Sequence, residues 1–267
     1  MPRALALGGL AGLARRNALG IALTERPLAL PALPEAFRGY RLLHLSDPHF
    51  GADPELDAAI VASVREVEHD LCVMTGDYRY KGFGPIETAV TNTLRLRDAL
   101  GGEVLAVLGN HDVVAMVPPL EAGGIRVLLN ESVTIRRGNA TLRVAGVDDT
   151  RYHCLHDLDR ALADDGGSAH PESSTLLLAH SPEIAEAAAA AGCGAYLCGH
   201  THGGQLCLPG GHPLMRNARA SSGRLSGAWR VGAMRGYTSR GVGVSVSVAR
   251  LFCSPEITLH VLERAAD

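Results

Sequence analysis

Five short apolar runs, each closed by a polar cluster, constrain this chain more than any other feature. Tyr40–Leu45 ends in Ser46-Asp47-Pro48-His49, Leu71–Thr75 in Gly76-Asp77, and Glu103–Leu108 in Gly109-Asn110-His111-Asp112. Thr175–Ala179 ends in His180-Ser181, and Ala195–Cys198 in Gly199-His200-Thr201-His202-Gly203-Gly204. Each run is strand-length and apolar nearly throughout, the pattern of a strand buried on both faces. Helical patterns cover Pro54–Glu68, Ile86–Leu100, Leu155–Ala163 and Pro182–Ala191. This alternation predicts a layered α/β domain with largely parallel strands. Ile125–Leu129, Val133–Arg136 and Thr141–Val147 read as short strands, with a hairpin turn at Gly138-Asn139. The C-terminal third, rich in Gly, Arg and β-branched residues, reads as strand and loop.

Pro27, Pro31 and Pro34 make residues 27–36 an extended lead-in. The chain therefore divides into a lead-in over 1–36, which could carry a short surface helix, and one domain over 37–267. A chain of 267 residues with 46% hydrophobic content buries a core without disulfides. None of the six cysteines forms a C-x-x-C pair, so a zinc ribbon or disulfide scaffold has no basis and a reducing compartment is expected. At the N-terminus an apolar run, Ala4–Ala14, is stopped by Arg15 and Arg16. It is too short to span a bilayer, and an arginine pair stands where a signal peptide would be cut. The expectation is a cytoplasmic protein, with peripheral contact to the inner membrane through a helix lying on its surface as a further option.

In an open α/β sheet the carboxyl ends of the strands converge on one crevice. The five runs would deliver Asp47, His49, Asp77, Asn110, His111, His180, His200 and His202 to it. Carboxylates, a carboxamide and imidazoles without thiolates suit Mn, Fe or Zn. The donors are too many for one tetrahedral ion and match two ions sharing a bridge, an arrangement that clamps phosphoryl oxygens during hydrolysis. Asp77 is the natural bridge, since a carboxylate has two oxygens to offer.

These blocks resemble the five motifs of the calcineurin-like metallophosphoesterase superfamily, in order, over residues 46–204. Asp-x-His alone is common; Gly-His-Thr-His-Gly-Gly-Gln is far more specific. The Pro-rich lead-in and the stretch from Ser239-Arg240-Gly241 through Arg250-Leu251-Phe252 to Pro255-Glu256-Ile257 look like a bacterial, often membrane-associated phosphodiesterase branch. The resemblance implies a single-domain α/β/β/α sandwich of mixed sheets flanked by helices. It also implies two divalent ions (Mn, Fe or Zn), with Asp47, His49 and His202 on one, Asn110, His180 and His200 on the other, and Asp77 bridging. A hydroxide bridging the two ions would attack the phosphorus of a phosphodiester or pyrophosphate. His111 would be the catalytic residue, stabilising the transition state or protonating the leaving oxygen. Asp112 would either orient His111 or cap the segment after it. The expected substrate is a phosphorylated small molecule or a lipid-linked one.

The second motif departs from that of the phosphoprotein phosphatases. Tyr80 stands where an acid would support the catalytic histidine, and Lys81 where an arginine would bind phosphate. Two other readings have their own grounds. A non-catalytic metal-binding interaction module could use the same scaffold, although every ligand is present. A nuclease could use the stretch between Glu186 and Glu256, which holds seven arginines and no acid. The acidic remainder and an aromatic content of 4% disfavour nucleic acid. Part of the basic stretch, Arg216, Arg219 or Arg240, is expected to face an anionic substrate or membrane headgroups. His44 is assigned to the core or the sheet face. His69, His153, His156, His170, His212 and His260 lack a partner pattern.

Overall fold

Two six-stranded sheets pack face to face and organise the chain. The computed structural model describes residues 9–163, 175–215 and 221–265. The first sheet takes β1 (Ala22–Leu30), β2 (Arg41–Leu45), β3 (Leu71–Met74), β4 (Glu103–Ala106) and β5 (Arg126–Val127). The second takes β6 (Glu131–Arg137), β7 (Ala140–Gly146), β8 (Thr175–Leu178) and β9 (Ala195–Cys198). A small antiparallel pair follows, β10 (Cys207–Leu208) with β11 (His212–Pro213). Then β12 (Gly227–Val231) and β13 (Met234–Thr238) extend the second sheet, and β14 (Glu256–Arg264) returns to the first between β1 and β2. Strands β2 to β5 run parallel, as do β7, β8, β9 and β13. The hairpin expected around Gly138-Asn139 is β6–β7, paired antiparallel from Glu131↔Gly146 to Arg137↔Ala140.

The apolar runs are doubly buried because each strand serves two cores. Along β2, Leu42 points into the slab between the sheets, with Val73, Leu105, Val144, Leu176 and Leu197. Its neighbours Leu43 and Leu45 point outward, against Leu56 and Ile60 of α2 (Pro54–Ala62) and Leu96 of α3 (Glu87–Ala99). On the far side, Ala145, Leu177 and Tyr196 meet Ala185 and Ala188 of the short helix Ala185–Ala190. The result is one α/β/β/α domain of mixed sheets flanked by helices. The helix from Pro54 starts on the side chain of Asp53, which accepts from the N–H groups of Glu55 and Leu56. It stops at Ala62, short of the expected Glu68. The helix expected over Leu155–Ala163 shrinks to Leu158–Leu162, and that over Pro182–Ala191 opens with a 3₁₀ turn at Pro182–Ile184.

Within the lead-in, Ala22–Leu30 is a full strand pairing parallel with β14. It lies at the edge of its sheet, where the missing N–H of Pro27 is tolerated. Ahead of it, α1 (Ala11–Leu19) docks on the domain: Arg15 donates to Asp53 (2.8 Å) and Glu55 (2.6 Å).

His44 and His260 are stacked between the sheets, ring centroids 5.7 Å apart and both buried, with Tyr237 edge-on to His260. His44 Nε2 donates to Thr75 Oγ1 (2.9 Å), whereas neither ring nitrogen of His260 has a hydrogen-bond partner among the described residues. Burial pushes His44 down to about 3 and holds His260 well below the ordinary histidine range, helped there by His44. The unfolded chain, with histidines near 6.5, binds protons that the folded chain refuses. Stability from this pair is therefore complete above about pH 6.5 and lost as pH falls towards 3. His260→Phe fills the same space without polar atoms. It is expected to be as stable as the parent or more so at pH 7, with a shallower acid slope, in urea titrations between pH 7 and 4 in the presence of chelator.

Candidate metal centre

The carboxyl ends of β2, β3 and β4 from one sheet, and of β8 and β9 from the other, lie side by side. They bring all eight sequence-predicted residues together. Three overlapping groups form, Asp47/His49/His202, His49/Asp77/His111 and Asp77/His180/His200, with their ligand atoms within 4.8 Å of one another in each group. Asn110 joins the last through Oδ1, 3.1 Å from His180 Nε2.

Close approach requires the backbone at the strand ends to be bare. A Cβ at Gly199 would collide with Ser46 Oγ and Asp47 Oδ2, and one at Gly109 with the backbone and carboxylate of Asp77. These side chains also sit where the chain turns sharply out of its strands. Asp47, His49, Asp77, His200 and His202 all have φ between 47° and 70°, the left-handed region. Each such residue costs on the order of 1–3 kcal/mol, and this kind of strain gathers at functional sites.

The carboxylates are anchored on one side and open on the other. Asp47 Oδ2 accepts from Ser46 Oγ (2.6 Å) and the His200 N–H (3.0 Å), while Oδ1 faces His202 Nε2 at 3.5 Å. Ser46 is held in turn by Thr75 Oγ1 (2.7 Å) and Thr75 by His44, so a relay runs from the core to Asp47. Asp77 Oδ1 accepts from the His111 N–H (2.8 Å) and faces His180 Nε2 at 3.4 Å; Oδ2 faces His49 Nε2 at 3.5 Å. Its two oxygens thus reach into two different groups of donors. The rings are aimed by backbone carbonyls: His49 Nδ1 donates to Arg79 O (2.9 Å), His180 Nδ1 to Thr75 O (2.7 Å). Such bonds fix the tautomer that leaves Nε2 free.

A neutral His180 would present a lone pair to Asn110 Oδ1 and Asp77 Oδ1, acceptor against acceptor. That donor chemistry fits a cation. Burial opposes charge on both groups, yet Asp77 and Asp47 hold the His180 imidazole up to about 10, while His180, with His49 and His111, holds the Asp77 carboxyl well below the usual carboxylate range. His49 and His202 are pushed down, first by burial.

His111 is the most exposed imidazole of the set, with a quarter of its side chain accessible and Nε2 4.0 Å from Asp77 Oδ2. Its Nδ1 donates to the backbone carbonyl of Tyr80 (2.9 Å). The main chain therefore does what the missing acid at position 80 would have done. Asp112 does not orient His111. Its carboxylate takes the N–H groups of Asp77 (2.7 Å), Tyr78 (2.9 Å), Arg79 (3.2 Å) and Gly109 (2.9 Å), tying two motif loops together. Arg79 is equally structural, donating to His111 O and Gly84 O.

Three arginines of the basic stretch are engaged within the fold. Arg240, expected to face an anion, binds Glu256 through Nε (2.9 Å) and Nη2. Arg224 pairs with Glu186 (2.7 Å). Arg250 is fully buried and donates to the carbonyls of Arg240 (2.7 Å) and Gly243 (2.6 Å), with Nη2 3.3 Å from His202 Nδ1. The acid that neutralises Arg240 is Glu256 of β14, which ends the acid-free stretch and so hid the pairing from sequence. Arg216, Arg219 and His170 lie outside the described residues. Ser46, Thr75 and Arg250 support the site although the sequence assigns them no role there; for Ser46 the position directly before Asp47 is the available signal.

Residues 40–204 match the family model of the calcineurin-like phosphoesterases. YkuE of Bacillus subtilis, an uncharacterized metallophosphoesterase, is 29% identical over 260 residues, spanning 91% of this chain and 86% of the relative. Phosphodiesterase YaeI of Escherichia coli is 29% identical, over 82% of this chain and 81% of its own. A transmembrane protein with a metallophosphoesterase domain from Danio rerio is 30% identical, over 87% of this chain and 55% of its own.

Asp112→Asn keeps the shape of the side chain but turns an NH₂ group towards backbone donors. It is expected to cost about 2 kcal/mol or more in urea unfolding and to lower the Mn²⁺ content retained after dialysis, because both motif loops lose their shared anchor.

Proposed function

The chain belongs to the calcineurin-like phosphoesterase family, and on that premise we propose that it hydrolyses a phosphodiester or pyrophosphate bond at a two-metal centre. The observation that carries this reading is the position of Asp77, whose two oxygens face two separate sets of donors. Asp47, His49 and His202 would hold one ion, Asn110, His180 and His200 the other, and Asp77 both. When bound, two divalent cations (Mn, Fe or Zn) bring a shared water to hydroxide near neutral pH and neutralise the phosphoryl oxygens. The side chains do the rest. Ser46 and the His200 N–H fix the approach of Asp47, and the carbonyls of Arg79 and Thr75 aim His49 and His180. His111, with Nδ1–H held by Tyr80 O, can pass a proton from Nε2 to the leaving oxygen.

An intact His111 favours an enzyme over a non-catalytic module. The engagement of Arg224, Arg240 and Arg250 within the fold weakens the nuclease reading. Phosphorylated small molecules or lipid-linked phosphates are the substrate class in this proposal. Cytoplasmic placement with peripheral contact to the inner membrane belongs to it too. Among the described residues no helix is long and apolar enough to cross a membrane.

The test is cleavage of bis-p-nitrophenyl phosphate and p-nitrophenyl phosphate by chelated protein before and after Mn²⁺ is restored. Metal-dependent cleavage is expected, with the diester preferred. Asp77→Asn is expected to lower kcat/KM by roughly a hundredfold or more, since two sets of donors lose their common anion. Equal cleavage with and without metal, or an unimpaired Asp77→Asn, overturns the reading.

A further inference from the structure

Beside the metal centre lies an apolar cleft of about 330 Å³, at the small end of ligand pockets. Its floor is the ligand motif itself, Thr201 and His202; its walls include Leu206, Leu214, Met215 and Val246. Gln205, the main polar side chain there, is consumed internally. It donates to the carbonyls of Ser245 (2.8 Å) and Ser247 (3.1 Å) and accepts from the Ser245 N–H (2.7 Å). Most of the surface that the cleft offers is therefore hydrocarbon.

Its rim is built to stay exposed. Leu214, Met215 and Val246 are 55%, 62% and 83% accessible. Val246 holds φ at 66°, a conformation that β-branched residues rarely adopt, and it does so with its side chain in water. Gln205, bonded to Ser245 and Ser247 on either side, holds the turn in that conformation. The rim is also tied to the chemistry. Tyr80, whose carbonyl aims His111, donates its hydroxyl to Val246 O (2.9 Å).

We propose that this cleft receives the hydrocarbon chain of the substrate, so that the chain acts on phosphoesters carrying an alkyl or acyl tail. The inference rests on the phosphoesterase reading above. The occupant follows from continuity: a phosphoryl group held at His202 and its partners can lay a substituent across Thr201 directly onto Leu214, Met215 and Val246.

The test measures binding of methyl, butyl and octyl phosphate, each below its micelle concentration, to the full Mn²⁺-loaded chain by calorimetry. Burying one methylene favours binding by roughly fourfold, so the Kd is expected to fall about tenfold or more from methyl to octyl phosphate. In Leu214→Asp and Val246→Asp, both at exposed positions that tolerate the change in the fold, this gain is expected to shrink severalfold. Equal affinity for the three phosphates overturns the inference. So does a chain-length gain that persists in both variants, because the tail would then lie elsewhere. Cleavage of bis-p-nitrophenyl phosphate is followed in parallel. Failure of the phosphoesterase reading registers there, whereas failure of the cleft registers only in the dependence on chain length.

Discussion

How closely the ends of five strands approach one another decides whether this fold has a site at all. The donors come from two separate sheets whose facing sides pack mainly through hydrocarbon. Where the strands end, bare backbone at Gly109 and Gly199 lets the loop of one motif lie against the carboxylate of another. The approach is then locked by hydrogen bonds between motifs rather than within them. Asp112 gathers N–H groups from the Asp77 loop and from its own, and the His200 N–H is donated to Asp47 across the gap between the sheets. The packing of the leucine slab and the geometry of the donors are consequently one problem. A shift of one sheet against the other would pull the His200 N–H away from Asp47.

The same geometry leaves an electrostatic excess that the protein cannot resolve with its own groups. Two carboxylates, a carboxamide oxygen and ring nitrogens with donating partners behind them all face inward. Without a cation, a proton on His180 is the remaining way to relieve them, which is why that imidazole is raised although burial alone would lower it. The support behind the donors is graded. Backbone carbonyls aim the rings, hydroxyls steady Asp47, and the buried His44 closes the relay at the core.

Much of this was legible in the sequence because strand ends carry a short-range code. Doubly buried strands announce themselves as unbroken apolar runs, and the residues just beyond them are placed by the sheet whatever the loops do. All eight predicted site residues meet for that reason. The misjudged features depend on contacts distant in sequence. Prolines spaced along residues 27–34 read as a lead-in, and only the edge position of β1 makes Pro27 compatible with a strand. The helix from Pro54 ends at Ala62, where Ser63 returns its hydroxyl to Ile60 O, a local competition that the apolar period does not register. Arg240 looked free because its partner, Glu256, sits on a strand that crosses to the other sheet. The absent acid at position 80 suggested a weakened His111, yet a carbonyl has no sequence signature and supplies the same hydrogen bond.

Tyr80 links the metal-binding cluster to the neighbouring cleft. Its backbone carbonyl sets the ring of His111, and its hydroxyl holds the strained segment that carries Val246 to the rim of the cleft. An acidic side chain at this position could orient a histidine but could not reach across as an aromatic hydroxyl does. Replacing the acid by tyrosine therefore moves the orienting function to the main chain and frees the side chain to brace the opposite wall. One residue thus ties the rim of the cleft to the ring of His111, so that the wall of the cleft and the metal-binding cluster share a support.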